Sequence, residues 1–153
     1  MKNFQQKGTT LGEILLAIAI VGIITTLVSP GFAKIKKIQV LKSMAEEIVS
    51  AVEEARSLTL SSVNSSSYGV HFETNKVIIF TGTSFSSGAP GNKILDLISP
   101  VSISNINLSN SDSDMYFYRL SGLPNATGTV TLSVSGLSPK TITISTSGSV
   151  SSN

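Results

Sequence analysis

The chain has 153 residues, of which 41% are hydrophobic and only 13% are charged. This composition suits one modest domain joined to a more apolar segment. The formal net charge of +2 is too small to indicate a nucleic-acid partner by itself. Because the chain contains no cysteine, disulfide bonds, thiolate metal sites and cysteine nucleophiles are all excluded.

The most apolar part of the chain lies close to its amino terminus. The stretch 14–28 is built almost entirely from Ile, Leu, Val and Ala. A membrane-spanning helix needs about 20 largely apolar residues, a length that Leu11–Phe32 reaches if Glu13 and Pro30 are tolerated. We therefore predict a transmembrane helix over residues 9–32.

The residues before this stretch are not arranged like an ordinary secretory signal, which carries its cleavage site after the apolar core. Here the polar, basic piece Met1–Lys7 ends at Gly8, and the apolar run starts almost at once. This order resembles a type IV prepilin signal, in which a dedicated peptidase cuts after the glycine and leaves the helix on the mature protein. The resemblance implies a leader over residues 1–8, cleavage between Gly8 and Thr9, and amino-terminal methylation of Thr9.

Two further landmarks match the same family at fixed spacing. Counted from Thr9, Glu13 is the fifth mature residue, where pilin-like proteins carry glutamate. Pro30 falls at the position of the family's helix-kinking proline. A proline near the end of a spanning segment also commonly marks the helix exit, and the neighbouring Gly31 agrees with that. Pro30 is therefore predicted to be either a kink or an exit.

The chemistry of Glu13 can be argued without the resemblance. A charged side chain near the bilayer centre costs roughly 2.5 to 3.5 kcal/mol on insertion scales and usually finds a partner. In a filament packed through its apolar helices, the cationic α-amino group of a neighbouring Thr9 is the natural candidate. The pair would set the axial register of the subunits. The alternative is that Glu13 lies at headgroup level and stays hydrated.

Helical patterning resumes after Pro30 and predicts an amphipathic helix over residues 33–60. Apolar or weakly polar residues recur at alternating spacings of three and four, which places them on one face. The members of this stripe are Ile38, Leu41, Ala45, Ile48, Val52, Ala55 and Thr59. The stripe is available to receive a sheet.

From Ser61 onward the chain changes from helical to strand-like patterns. The polar stretch 61–67 predicts a loop, and the alternation and aromatic content beyond it predict strands. They are predicted at Tyr68–Phe72, Val77–Phe80, Ile94–Ile98, Val101–Leu108, Met115–Leu120, Val130–Val134 and Ile142–Ile144, and the last two form a terminal hairpin. The fold class is α+β, with a long N-terminal helix, half membrane or assembly helix and half amphipathic, packed on an antiparallel β-sheet domain over residues 61–153.

The second half resembles the globular domain of GspH/FimT-type minor pilins and pseudopilins. The residues that carry this resemblance are Ala55–Arg56, Tyr68–Phe72, Phe117, Gly122–Pro124 and Gly128–Leu132. The two resemblances together span most of the chain. They imply a minor filament subunit.

Catalysis finds little support, so we expect no enzyme, no cofactor and no metal site. The chain has a single histidine, and His71 alternates between Val70 and Phe72 within a strand pattern, which favours a structural role. Asp112 and Asp114 could ligate a cation, but calcium needs roughly six or more oxygen ligands and no recognisable loop motif is present. A solvated loop is the favoured interpretation for both.

Three functional classes remain. The first is a structural subunit of a type IV pilus, a type II secretion pseudopilus or a competence filament. The second is a DNA-binding minor pilin, disfavoured because the tail Thr146–Asn153 has no Lys or Arg to contact phosphates. The third is a membrane-tethered adhesin or binding module that does not polymerise.

The first class is the one we expect, and it implies a set of partners. They are a prepilin peptidase, other pilin or pseudopilin subunits, the inner-membrane assembly platform and the lipid bilayer. The location is the inner membrane, with the β-domain on the extracytoplasmic side, and then the filament. Lysines after the apolar segment outnumber those before it, which argues for the opposite orientation; the leader geometry is the more specific signal.

Overall fold

The computed structural model of the protein describes residues 8–153, apart from the side chains of residues 26–30. This part of the chain is α+β, as predicted. It contains one long helix, α1 (Leu11–Leu60), a short 3-10 turn (Val63–Ser65) and the following strands: β1 (Tyr68–Phe72), β2 (Lys76–Thr81), β3 (Lys93–Asp96), β4 (Ser102–Leu108), β5 (Asp114–Tyr116), β6 (Gly128–Ser133), β7 (Lys140–Ile144) and β8 (Val150–Ser152).

The strands form two four-stranded antiparallel sheets. The first has the order β3-β2-β1-β5 and the second has the order β4-β6-β7-β8. The chain consists of two compact units, one ending at Lys36 and the other running from Lys37 to Asn153. Both sheets and the last turns of α1 therefore belong to the same unit, which we call the β-domain.

The terminal hairpin is confirmed. Strands β6 and β7 pair antiparallel, with Val130 opposite Ile142 and Gly128 opposite Ile144. Strand β8 adds to the free edge of β7; it was not predicted because its sequence, Val-Ser-Ser, lacks the alternation of a half-buried strand.

The strand predicted at Met115–Leu120 is shorter than expected. Only Asp114–Tyr116 forms β5, because the chain turns back beyond it. Phe117 makes an isolated bridge to Pro124, and Leu120 has a positive φ of 67°, which no extended strand accommodates.

The carboxy-terminal turns of α1 supply one wall of the β-domain core. Six of the seven predicted stripe residues, from Leu41 to Thr59, are at most 4% exposed, whereas Ile38 is 47% exposed. Met44 and Ala51 are also buried on this face. They share one apolar cluster with strand residues that include Val70, Phe72, Val130, Leu132 and Ile142. The amphipathic pattern therefore identified the packed face.

Two polar side chains join α1 to the loops around the sheets. The buried Thr59 hydroxyl donates to Ala55 O at 2.9 Å and accepts from Tyr68 N–H, also at 2.9 Å, at the start of β1. Arg56 Nε donates to Gly122 O at 3.0 Å, and its Nη2 donates to Ser147 O at 3.3 Å. These bonds satisfy backbone groups outside the sheet ladders.

The predicted membrane segment 9–32 begins two residues before α1 and otherwise lies in the first part of this helix. Within the residues that the structure describes, no helix is both long enough and apolar enough to span a membrane. The prediction also covers residues 26–30, whose side chains lie outside the described part. Helix α1 continues through Pro30 to Leu60, so the helix does not end at this proline. The predicted kink stays a prediction.

Candidate functional site

The predicted cleavage site lies in exposed backbone just before α1. Gly8 and Thr9 have no regular secondary structure, and both are exposed. A Cβ built on Gly8 would meet no atom within 4 Å. An accessible segment without regular secondary structure is what a peptidase can bind. The leader residues Met1–Lys7 lie outside the described residues.

Glu13 forms a reciprocal cap with Thr10 at the start of α1. Thr10 N–H donates to Glu13 Oε2 at 3.2 Å, and Glu13 N–H donates to Thr10 Oγ1 at 3.3 Å. The Thr10 hydroxyl also lies 3.5 Å from Glu13 Oε2. This arrangement is a capping box, which satisfies two backbone donors that the helix leaves free. Thr10 was not singled out from the sequence, although the signature T-x-x-E was readable there.

The carboxylate of Glu13 is exposed and forms no ion pair within the described part of the chain. Its bonds to Thr10 are local and leave one carboxylate oxygen without a hydrogen bond there. Glu13 can therefore hold its own helix start and accept a cation from outside the chain at the same time.

The first turns of α1 present an apolar surface on every side. Between Leu11 and Ile24 each large apolar side chain is between 47% and 76% exposed. These side chains are Leu11, Ile14, Leu15, Leu16, Ile18, Ile20, Val21, Ile23 and Ile24. Complete burial of a fully exposed side chain of this kind contributes about 1.5 to 3 kcal/mol, and these nine are on average a little over half exposed, so together they represent roughly 8 to 16 kcal/mol of unused burial.

The hydroxyl of Thr25, directly after this surface, is satisfied by the helix itself. The Thr25 hydroxyl donates to Val21 O at 2.7 Å, so it presents no unpaired donor to an apolar environment. Gly12 and Gly22 leave open space around their Cα atoms. Another helix could approach α1 closely at these two positions.

A second feature, in the β-domain, brings together residues that the sequence analysis had treated separately. His71, Asp112 and Asp114 line one cavity of about 480 Å³. The structure pairs β1 with β5 so that His71 stands directly opposite Asp114. Among the described residues, no group of three or more His, Asp and Glu side chains could hold a metal ion.

Two aromatic contacts involve residues that line this cavity, namely His71, Phe85 and Tyr116. The ring of His71 stacks on Phe85 with centroids 3.9 Å apart and an interplanar angle of 7°, and its Nε2 lies 3.8 Å from Glu73 Oε1. Tyr116 packs edge to face against Tyr118 at a centroid distance of 5.3 Å. A hydrogen bond with Tyr118, followed by burial, raises the pKa of Tyr116 above its ordinary value.

Comparisons of the chain with models of protein families, with curated proteins and with solved structures found no match.

Proposed function

We propose that the protein is a structural subunit of a type IV pilus, a type II secretion pseudopilus or a competence filament. The observation that carries the proposal is the exposed apolar surface of α1 between Leu11 and Ile24. Monomeric soluble proteins rarely expose contiguous apolar patches larger than a few hundred Å². A surface that surrounds a helix needs lipid or other helices around it.

The prepilin-like order of residues implies that the helix is surrounded first by lipid and later by the helices of other subunits. Before assembly, the helix over residues 9–32 lies in the inner membrane, and the β-domain is on the extracytoplasmic side. After cleavage behind Gly8 by the prepilin peptidase, the subunit leaves the bilayer through the assembly platform. Its apolar helix then packs against the helices of neighbouring subunits, which replace the lipid.

Glu13 sets the register in this packing. Cleavage creates an α-amino group on Thr9, which is a cation below its pKa of about 8. The Glu13 carboxylate of an adjacent subunit accepts this cation, and the bond satisfies two charges in an environment where neither is tolerated alone. Thr10 supports the arrangement because its bonds hold the Glu13 side chain against the helix start.

The resemblance of the β-domain to GspH/FimT-type proteins makes a minor subunit our specific proposal. The residues of that resemblance have structural roles in the β-domain. Arg56 ties α1 to the loop at Gly122, and Tyr68–Phe72 forms β1. Gly128 approaches Asn107 O so closely that a Cβ could not fit. A larger residue there would break the pairing of β4 with β6.

The test is the amino-terminal residue and intact mass of the full chain after expression with an active prepilin peptidase. We expect a mature chain that starts at Thr9. The variant Gly8→Val should keep its leader, because the branched side chain occupies the residue that the peptidase recognises. The matched control is Gly12→Ala, whose new Cβ also meets no atom within 4 Å, and it should be processed normally.

A chain that keeps Met1 despite an active peptidase would overturn the proposal. So would cleavage beyond the apolar segment, which would release the β-domain from its helix. Either result would leave a tethered or secreted binding module as the better account.

A further inference from the structure

The cavity beside His71 has no part in helix packing and calls for a separate explanation. Its walls come from the paired strands β1 and β5, from the loop that follows β2 and from the loop that precedes β5. The volume of about 480 Å³ lies within the range of sites that take small organic ligands.

Hydrogen bonds to the backbone fix the loops that line the cavity. Asn110 Nδ2 donates to Asp114 O at 2.9 Å, and Asn110 Oδ1 accepts from Asp112 N–H at 3.2 Å. On the other side, Asn125 Oδ1 accepts from Tyr116 N–H at 2.7 Å. The polar wall is therefore set before any ligand arrives, which lowers the entropy lost on binding.

Several polar groups in this wall remain unused. The carboxylates of Asp112 and Asp114 form no hydrogen bond or ion pair within the described part of the chain, and neither does the Asn125 amide nitrogen. His71 Nδ1 also has no partner there, but it is buried, so a ligand in the cavity does not reach it. Acceptors and donors are thus both present.

The combination of hydrogen-bond acceptors and donors in the cavity wall indicates the chemical class of the ligand. No Lys or Arg lines the cavity, so an anion would meet two carboxylates without a compensating charge. A simple cation would satisfy the carboxylates and leave the amide donor of Asn125 unused. Hydroxyl groups donate and accept, so a neutral polyhydroxylated molecule can satisfy both kinds of group. The stacked rings of His71 and Phe85 add an apolar wall for its C–H groups.

We propose that this cavity binds a neutral saccharide. Its hydroxyl groups donate to the Asp112 and Asp114 carboxylates and accept from Asn125 Nδ2, and its ring lies beside the His71 side chain. The site lies wholly within the β-domain, so it depends neither on cleavage after Gly8 nor on filament assembly.

The single histidine of the chain allows a direct test. Full-length protein with ¹⁵N-labelled histidine, held in detergent micelles, gives one pair of ring-nitrogen signals. The probes are the methyl glycosides of glucose, galactose, mannose and N-acetylglucosamine, titrated to tens of millimolar. We expect at least one of them to shift a ring-nitrogen signal of His71 in a saturable way, with a Kd in the millimolar range or below.

The variant Asp114→Asn removes one carboxylate and keeps the shape of the side chain. It should weaken binding about tenfold, because it loses a charge-assisted hydrogen bond. The matched control is Asp96→Asn in β3, which lies outside the cavity lining and should leave the Kd unchanged.

Two further probes distinguish the other ligand classes. Glucosamine carries a cation and glucose 1-phosphate carries an anion on a similar ring. A saturable shift with either of these and with none of the neutral glycosides would overturn the proposal. Absence of a shift with every probe would overturn it as well, and so would an equal loss of binding in both Asp variants.

Discussion

The two ends of α1 belong to one helix and meet opposite environments. Between Leu11 and Ile24 every large apolar side chain is exposed, whereas the stripe from Leu41 to Thr59 is almost completely buried. The first end is apolar on all sides and the second on one face. The apolar face of an amphipathic helix is buried by the domain to which the helix belongs. The apolar surface that surrounds the first end of α1 can be buried only by lipid or by another chain.

The largest expected effect comes from making the same substitution at both ends. Ile48→Ala removes a fully buried side chain from the β-domain core and should lower the free energy of unfolding by about 2 to 5 kcal/mol. Ile18→Ala, at a position 64% exposed, should change it by less than about 0.5 kcal/mol. Urea unfolding of the full chain in detergent, followed by tyrosine fluorescence, measures both values.

Equal losses of unfolding free energy in Ile48→Ala and Ile18→Ala would contradict the difference between the two ends of α1. They would mean that the first turns of α1 contribute to the stability of the β-domain within a single chain. No helix neighbour or lipid would then be needed to explain the apolar surface.

Glycine substitutions sharpen the same contrast. An added Cβ at Gly69 in β1 would collide with Met115 O and with the ring of Phe80. Gly69→Ala should therefore lower the free energy of unfolding by about 1 to 3 kcal/mol. Gly22→Ala meets no atom within 4 Å and should stabilise the helix by about 0.5 to 1 kcal/mol. Circular dichroism during urea unfolding reports both changes, and a loss at Gly22 would contradict the open surface assigned to this end.

Threonine occurs on both ends of α1. Replacing it with valine tests the contribution of a hydrogen-bonding group instead of that of side-chain volume. Thr59→Val leaves the buried Tyr68 N–H without its acceptor and should destabilise the β-domain by about 1 to 3 kcal/mol. Thr25→Val removes only a bond to the backbone of its own helix and should change stability by less than about 0.5 kcal/mol. Amide hydrogen exchange at Tyr68 should speed up in the first variant alone.

Periodicity is a local property of the sequence, and it therefore predicted the long helix and the terminal hairpin. It also predicted that the helix changes from apolar on all sides to amphipathic. The stripe that ends at Thr59 and the alternation around Val130 each require only neighbouring residues. Ile38 fits the same period but is exposed. A periodic pattern identifies one face of a helix and does not show how far along that face the sheets pack.

The cavity could not be predicted because its parts are distant in sequence. His71, Phe85 and Asp114 lie on separate segments, which meet only because β1 pairs with β5 and the loop after β2 folds back. Taken alone, His71 favoured a structural role and Asp114 favoured a solvated loop. The Thr10–Glu13 cap is the opposite case, since its signature spans four residues and was readable from the sequence.

The smallest expected effect concerns titration. The described part of α1 before Phe32 contains one ionisable side chain, Glu13, whereas the β-domain contains Tyr116, whose pKa is raised by its hydrogen bond with Tyr118 and by burial. The unfolded chain therefore loses this phenolic proton first, near its ordinary pKa of about 10. Since the folded state then binds more protons, stability is full below pH 10 and falls as the pH rises through the folded-state pKa.

Absorbance titration of tyrosinate measures this difference when Tyr116→Phe and Tyr118→Phe are compared with the unchanged chain. Tyr118→Phe should bring the pKa of Tyr116 back toward its ordinary value, because it removes the largest cause of the shift. Tyr116→Phe should make the β-domain less sensitive to alkaline pH. If Tyr118→Phe left the Tyr116 pKa high, burial would be the dominant cause, and the cavity wall would be less accessible to a ligand than its open volume indicates.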